Sequence, residues 1–288
     1  MYLLIPYILL LGFGNILYKI NKQPVLKTMF MVNFWSVLLG AALLGLSFIW
    51  TDDPFENLTW TAFGFIVLRS LFGASAFFCF LQAVKRLPVS IVEPVSVAQI
   101  FPLLFIGWAV FGDVVTVVAG TLAVVIFVMS VLLGLSAKEK SEQNTPKNYL
   151  IGLLWLLGFI LLSTGVTTMV RQVGGLGVNV ILFVTIHVFI VFALNNIFLL
   201  ATRQSPLKVL KELHRDKVLM AVTLRDNFWV VFHMPLALMM NIGVLEAILV
   251  SSSALTVLLG RVLLKEKIKW HSYVLIAVIL VAAVLISL

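Results

Sequence analysis

The sequence predicts an all-α integral membrane protein: ten transmembrane helices in an inverted 5+5 repeat. Three observations carry that prediction. Ten apolar runs account for most of the chain, the connections between them alternate in charge, and ionisable residues recur inside the runs at matched places in the two halves.

The 288 residues are 62% hydrophobic and only 11% charged, a balance no soluble domain of that length has. A helix that crosses a bilayer needs about 20 mostly apolar residues. The runs at 1–18, 28–50, 60–84, 88–111, 114–136, 149–171, 177–201, 218–240, 242–264 and 270–287 are all of that order. They are continuously apolar rather than alternating at period two, which argues against a membrane β-barrel. The first run has no basic segment ahead of it and no small-residue cleavage site before Lys19, so it is expected to be a retained helix rather than a signal peptide. The polar stretch 137–148, with KEKSEQNTPKN, reads as a linker between a first five-helix repeat (1–136) and a second (149–288).

The formal net charge of +8 would point to nucleic acid in a soluble protein. Here the bases mark loops on one side of a membrane instead, so no nucleic-acid partner is expected. Lys19, Lys22 and Lys27 lie in the first connection, Lys85 and Arg86 in the third, and Lys138, Lys140 and Lys147 in the fifth. Five bases lie in the seventh connection (202–217) and Lys265, Lys267 and Lys269 in the ninth. Odd-numbered connections thus hold sixteen bases and even-numbered ones a single base, Arg171. Miscounting one span would break the alternation. Five spans per half is an odd number, so the second half is inverted relative to the first, an architecture that places substrate near the midplane of transporters. The lone Cys79 lies inside a run, which excludes an intramolecular disulfide.

The repeat is visible in residues. VLRSLFG (67–73) matches TLRDNFW (223–229), and LFIGWAVFGD (104–113) matches VLLGRVLLKE (257–266), pairing Gly107 with Gly260 and Asp113 with Glu266. Arg69 and Arg225 stand 156 residues apart, and Glu93 and Glu246 stand 153 apart. A charge at the bilayer centre costs about 2.5–3.5 kcal/mol on insertion scales, so such residues face a cavity or a partner. Arg69 is about 13 Å into its run and Arg225 about 10 Å, at 1.5 Å per residue. A guanidinium offers a fork suited to carboxylate or phosphate. Two readings stay open: a clamp for an anionic substrate, or buried structural ion pairs such as Arg225 with Asp226.

Glu93 and Glu246 each lie about 7 Å inside a boundary and toward opposite mouths of an inverted pair, where they gate, carry a coupling proton or answer an arginine. Pro94 and Pro102 deprive the carbonyls of Ser90 and Ala98 of a helical donor and predict kinks that serve as hinges or as packing features. Trp229 and His233 follow Arg225 at one-turn and two-turn spacing and join Tyr18, Asn15 and Asn33 as candidate polar or aromatic contacts. Gly73 and Ala76 keep Arg69's face uncrowded, and Ser251–Ser253 allow close helix packing. Asp113 and Glu266 read as helix-end residues favouring the N-terminal dipole of the span that follows. His187 has no charged neighbour in its own run and is assigned no role. No HExxH, Gly-rich phosphate loop or metal-ligand cluster is present, so no enzyme activity, cofactor or metal is expected.

At these residues the chain resembles the EamA-type members of the drug/metabolite transporter superfamily. The likeness runs through Arg69, AVKRLPVS (83–90), Pro94 and Pro102, Gly112-Asp113 and Gly120, and returns in LLGRVLLKEKI (258–268) with Glu266. The resemblance implies ten helices in two repeats and alternating-access transport. It departs from the family's pattern at Asp113 (commonly Glu), Leu255 (commonly Pro) and Asn33 (Arg in several relatives). It also implies cytoplasmic termini, whereas the loop charges place both termini outside.

The function expected from these readings is secondary active transport of a small anionic or zwitterionic metabolite, of amino-acid or nucleoside-derivative type, across the plasma or inner membrane. The partners expected are that small molecule and membrane lipid. Arg69 and Arg225 would hold the substrate. The alternatives are an exporter of hydrophobic or cationic compounds that relies on the glutamates and on Phe72, Phe77, Trp108 and Trp229, and a non-transporting scaffold.

Overall fold

The computed structural model describes residues 4–50, 53–136, 146–239, 242–266 and 269–287, and all regular structure among them is helical. The helices are α1 (Leu4–Ile20), α2 (Val25–Trp50), α3 (Trp60–Arg86), α4 (Val89–Ser96), α5 (Ile100–Phe111), α6 (Val117–Ser136), α7 (Pro146–Gly175), α8 (Val180–Ala201), α9 (Pro206–Leu213), α10 (Lys217–Met239), α11 (Ile242–Leu263) and α12 (Trp270–Ser287). Helix therefore occupies each of the ten apolar runs. Among the described residues, Val25–Ile49, Trp60–Arg86, Val89–Phe111, Lys147–Gly175 and Val180–Ala201 are long and apolar enough to cross a membrane, and shorter apolar helices lie at Leu9–Ile20, Val117–Leu133, Ser252–Leu263 and Trp270–Ile286.

Short polar residues start these helices, because a side-chain oxygen can accept one of the first orphan backbone donors. Thr59 Oγ1 accepts from Ala62 N at 3.2 Å before α3, and Thr116 Oγ1 from Ala119 N at 3.1 Å before α6. Asn179 Oδ1 accepts from Ile181 N at 2.9 Å before α8, and Asp216 Oδ1 from Leu219 N at 3.0 Å before α10.

The fourth run differs from a straight span. It divides into α4 and α5 around a 3-10 turn at Val97–Gln99, which lies between Pro94 and Pro102. Proline removes a helical donor and crowds the preceding turn, so the break falls where two such defects overlap. The seventh connection, expected as a basic loop, contains α9. That helix buries Val209 and Leu213 against Phe30, Met31, Leu199 and Leu219 and leaves Leu207 exposed. Lys27 Nζ pairs with Glu212 at 3.1 Å, and Gln23 Nε2 donates to Asp216 Oδ2 at 2.7 Å.

The helices cluster into two compact units, each drawing on both halves of the sequence. The first comprises Met1–Lys19, Cys79–Thr164 and Met240–Leu288, and the second Ile20–Phe78 and Gly165–Met239, so the division falls within α3 and α7. In the first unit α6 packs along α12. Ala123, Ile126, Ser130 and Leu133 on one helix and Ile276, Ile279 and Ala283 on the other recur at three- and four-residue steps and are buried, as a helical seam requires. In the second unit α2 packs along α8. A Cβ at Gly40 would stand 2.8 Å from Val188 Cγ2, so the glycine permits a close crossing, and the Thr185 hydroxyl lies within hydrogen-bond reach of both the Gly40 carbonyl (3.0 Å) and the Ile181 carbonyl of its own helix (2.8 Å). Ala62, Ile66, Val170, Val173, Phe183, Val184 and Val188 form this unit's core from α3, α7 and α8.

Candidate functional site

Arg69 lies in the second unit, on the third turn of α3, and is only 3% exposed. Its guanidinium carbon stands 5.6 Å from the centre of the Phe183 ring on α8, a cation–π arrangement that keeps a positive charge tolerable away from water. One turn further along α8 is His187. Its Nδ1 is 3.0 Å from Ser70 Oγ, and Ser70 Oγ also donates to the Ile66 carbonyl at 2.7 Å. Gly73 completes the group. A Cβ there would stand 3.5 Å from His187 Cε1, 3.8 Å from Arg69 Nη1 and 3.9 Å from Val166 Cγ2. These are ordinary van der Waals separations, so the space at the glycine would take a methyl group in contact with all three neighbours.

Sequence reasoning passed over His187 because it sought a charged neighbour in the same run. The neighbour is on another helix, in the register that pairs Phe183 and His187 of α8 with Arg69, Ser70 and Gly73 of α3. A polar residue at i+1 of Arg69, matched by a histidine in another span, was the available signal.

Arg225 occupies α10 of the same unit and is 9% exposed. Its Nη1 lies 2.7 Å from Oδ1 of the adjacent Asp226, the ion pair weighed from sequence as the alternative to a substrate clamp. Asn33, also in this unit and buried, donates from Nδ2 to the Met29 carbonyl of its own helix at 2.7 Å. The side chains of Trp229, His233 and Glu246 lie outside the described residues.

Tyr18, Glu93, Pro94 and Pro102 belong to the first unit. Tyr18 is buried, its ring in a T-shaped arrangement with Phe80 at a centroid distance of 5.6 Å. Glu93 is 8% exposed on α4, and its carbonyl accepts from Ser96 Oγ at 2.6 Å. Asn15 Nδ2 reaches Thr256 Oγ1 at 3.5 Å. Ser252 and Ser253 are buried on α11.

The expectation that Glu266 serves the following helix is corrected. Its carboxylate instead caps α4, accepting from Val89 N at 2.9 Å, Ser90 N at 3.1 Å and Ser90 Oγ at 2.6 Å. The turn beyond α11 folds back and delivers the charge to the N-terminus of a neighbouring helix, where orphan donors and the helix dipole both favour an anion. At the other side of the same α3–α4 turn, Lys19 Nζ donates to the carbonyls of Val84 and Leu87, both at 2.7 Å, satisfying the C-terminal end of α3.

Outside the apolar helices, Asp216 has its carboxyl held below the usual carboxylate range. The causes are the Leu219 backbone N–H, then the Gln23 amide, with slight burial opposing.

No family model matches the chain, and no curated protein sequence matches it. Chains of solved structures do match. One is a crystal structure of a protein, similar over 96% of this chain and 95% of that one, with TM-score 0.57 and 13% identity. At that identity the likeness concerns the fold alone.

Proposed function

We propose that the chain is a secondary active transporter of a small anionic or zwitterionic metabolite, with ten membrane spans in an inverted 5+5 repeat and an EamA-type place in the drug/metabolite transporter superfamily. The observation that carries the reading is Arg69: a guanidinium 3% exposed inside a 27-residue apolar helix, beside Gly73. A buried charge in such a helix is expensive, and residues of this kind commonly mark substrate pathways. The repeat draws support from two matching turns. Asp113 N donates to the Gly107 carbonyl at 3.0 Å, Glu266 N donates to the Gly260 carbonyl at 3.2 Å, and Gly112 and Lys265 both take positive φ.

In this reading Arg69 and Arg225 anchor the substrate, with Asn33, Trp229 and His233 as further contacts. Glu93 and Glu246 gate the mouths or carry a coupling proton. Pro94 and Pro102, flanking the 3-10 turn, let the fourth span flex during alternating access.

A thermal-shift screen of purified protein against a metabolite library identifies a ligand, and counterflow of that ligand in proteoliposomes tests the reading. Uptake by wild type with background uptake by Arg69→Ala is the expected result. Unchanged uptake by Arg69→Ala removes Arg69 from the site.

A further inference from the structure

Helix α9 turns Val209 and Leu213 inward, against Phe30, Met31, Leu199 and Leu219. Successive residues of a helix are about 100° apart, so Leu207, Lys208 and Lys211 fall on the opposite face. All three are exposed, Leu207 at 71%. Exposure to water is unfavourable for the leucine's apolar surface. The boundary between lipid headgroups and acyl chains suits both that surface and the ammonium groups beside it.

The placement of α9 supplies such a boundary. Phe189, Ala193, Ile197 and Leu200 recur at three- and four-residue steps along α8 and are all exposed. Because α8 is long and apolar enough to cross a membrane, this stripe is a surface for acyl chains. It ends at Leu200, and the exposed Arg203 follows three residues later. Only residues 202–205 separate α8 from α9, and Leu199 of α8 packs in the same cluster as Val209 and Leu213. The stripe, Arg203 and the outer face of α9 are therefore consecutive along one end of the second unit.

Charge points to the occupant. Residues 202–217 hold five bases, Arg203, Lys208, Lys211, Arg215 and Lys217, against two acids. Both acids are engaged: Glu212 with Lys27 at 3.1 Å and Lys208 at 4.0 Å, and Asp216 with the Gln23 amide and the Leu219 N–H. A guanidinium offers phosphate a two-point contact, and ammonium groups add point charges. We infer that Arg203, Leu207, Lys208 and Lys211 form a contact for an anionic glycerophospholipid. Its phosphate lies among Arg203 and the two lysines, an acyl chain runs along Ile197 and Leu200, and Leu207 sits between headgroup and chain. The assignment depends on α8 crossing a membrane and not on the identity of the transported substrate.

The test uses the purified full chain in a zwitterionic detergent. Dioctanoyl phosphatidylglycerol or dioctanoyl phosphatidylcholine is titrated in while the thermal midpoint is followed, because a ligand of the folded state raises it according to its affinity. Each base near an anionic lipid surface is worth about fivefold in affinity. Wild type is expected to bind phosphatidylglycerol about tenfold or more tighter than phosphatidylcholine, with a preference that shrinks as salt is added. The triple variant Arg203→Gln, Lys208→Gln, Lys211→Gln is expected to bind the two lipids alike. Leu207→Gln leaves the charge untouched and is expected to weaken phosphatidylglycerol severalfold. The double variant Lys265→Gln, Lys269→Gln, whose bases lie in the first unit, is expected to keep the wild-type preference. Inorganic phosphate is expected to leave the midpoint unchanged.

Equal affinity of wild type for the two lipids, a preference that survives intact in the triple variant, or an equal loss in the double variant overturns the assignment. So does a midpoint shift with inorganic phosphate as large as with phosphatidylglycerol, which would make this surface a site for a soluble anion.

Discussion

Asp113 and Glu266 hold equivalent places in two turns of the same construction. Each follows a residue of positive φ, Gly112 at 69° and Lys265 at 55°, and each backbone N–H returns to a glycine six residues earlier. Each carboxylate then lies over that glycine. A Cβ at Gly107 would stand 2.8 Å from Asp113 Oδ2, and one at Gly260 3.0 Å from Glu266 Oε2. The glycine is what lets the acidic side chain fold back across the helix end. At Glu266 the consequence is visible, because the carboxylate goes on to cap α4.

Removing that cap tests its worth. A charge-assisted hydrogen bond to a backbone donor contributes about 1.5–3 kcal/mol, and Glu266→Ala leaves the N-terminal donors of α4 to find other partners. We predict a loss of about 2 kcal/mol for Glu266→Ala and about half of that for Ser90→Ala, which removes one of the three bonds. Denaturation of the purified protein in detergent measures both. Equal stability of Glu266→Ala and wild type would mean that the carboxylate contributes nothing to holding α4.

The glycine beneath it makes a second, independent test. Gly260→Ala pushes a methyl group against the Glu266 carboxylate, and overpacking of this kind costs about 1–3 kcal/mol. The control is Gly64→Ala on α3, where nothing lies within 4 Å of the new Cβ. There the gain in helix propensity is about 0.5–1 kcal/mol. We expect the two substitutions to move the thermal midpoint in opposite directions. A fall in both would trace the effect to alanine itself rather than to the carboxylate.

Asp216 predicts a pH dependence. Its carboxyl is held below the ordinary range by the Leu219 N–H and the Gln23 amide, so the folded state favours the ionised form. The stabilisation is complete above the ordinary carboxylate pKa of about 4 and is lost as pH falls through the lower folded value. Asp216→Ala is expected to cost about 1 kcal/mol above pH 5, the usual worth of an N-cap. The difference from wild type should shrink as the buffer is taken below about pH 4. Asp216→Asn keeps an acceptor for the cap and should lose only the pH-dependent part. Thermal midpoints at pH 3.5 and 6 distinguish these outcomes, and a gap between wild type and Asp216→Ala that widens on acidification would contradict the assignment.

The helix positions were legible in the sequence because a continuously apolar run has few ways to satisfy its backbone except by helix. The runs at 60–84 and 270–287 match α3 and α12 within two residues at either end. What escaped notice depended on contacts between distant segments. An eight-residue helix with lysines on its outer face, α9, reads as a polar loop until Val209 and Leu213 are seen to pack. Ser70 and His187 are 117 residues apart, and Ser90 and Glu266 are 176 apart, so neither pairing has a local signature. Arg69 was found because burial of a charge is costly wherever its partners lie, but its neighbours Phe183 and His187 required the packing of α8.

Arg225 poses the sharpest choice between structure and transport, and a double-mutant cycle with Asp226 resolves it. Both side chains are at most 10% exposed, and their charged atoms are 2.7 Å apart. Truncating one partner of a buried ion pair leaves the other charge uncompensated, at about 3–5 kcal/mol, whereas replacing both is often close to neutral. We therefore predict that Arg225→Gln and Asp226→Asn each destabilise strongly and that the double variant recovers most of the loss. Stability alone reports the ion pair. Counterflow in proteoliposomes of the folded double variant reports the substrate role, because a purely structural arginine can be dispensed with once its partner is neutralised. A double variant that is stable but inactive assigns Arg225 to the substrate as well as to Asp226. One that is stable and transports like wild type confines Arg225 to the ion pair and leaves Arg69 as the anchor.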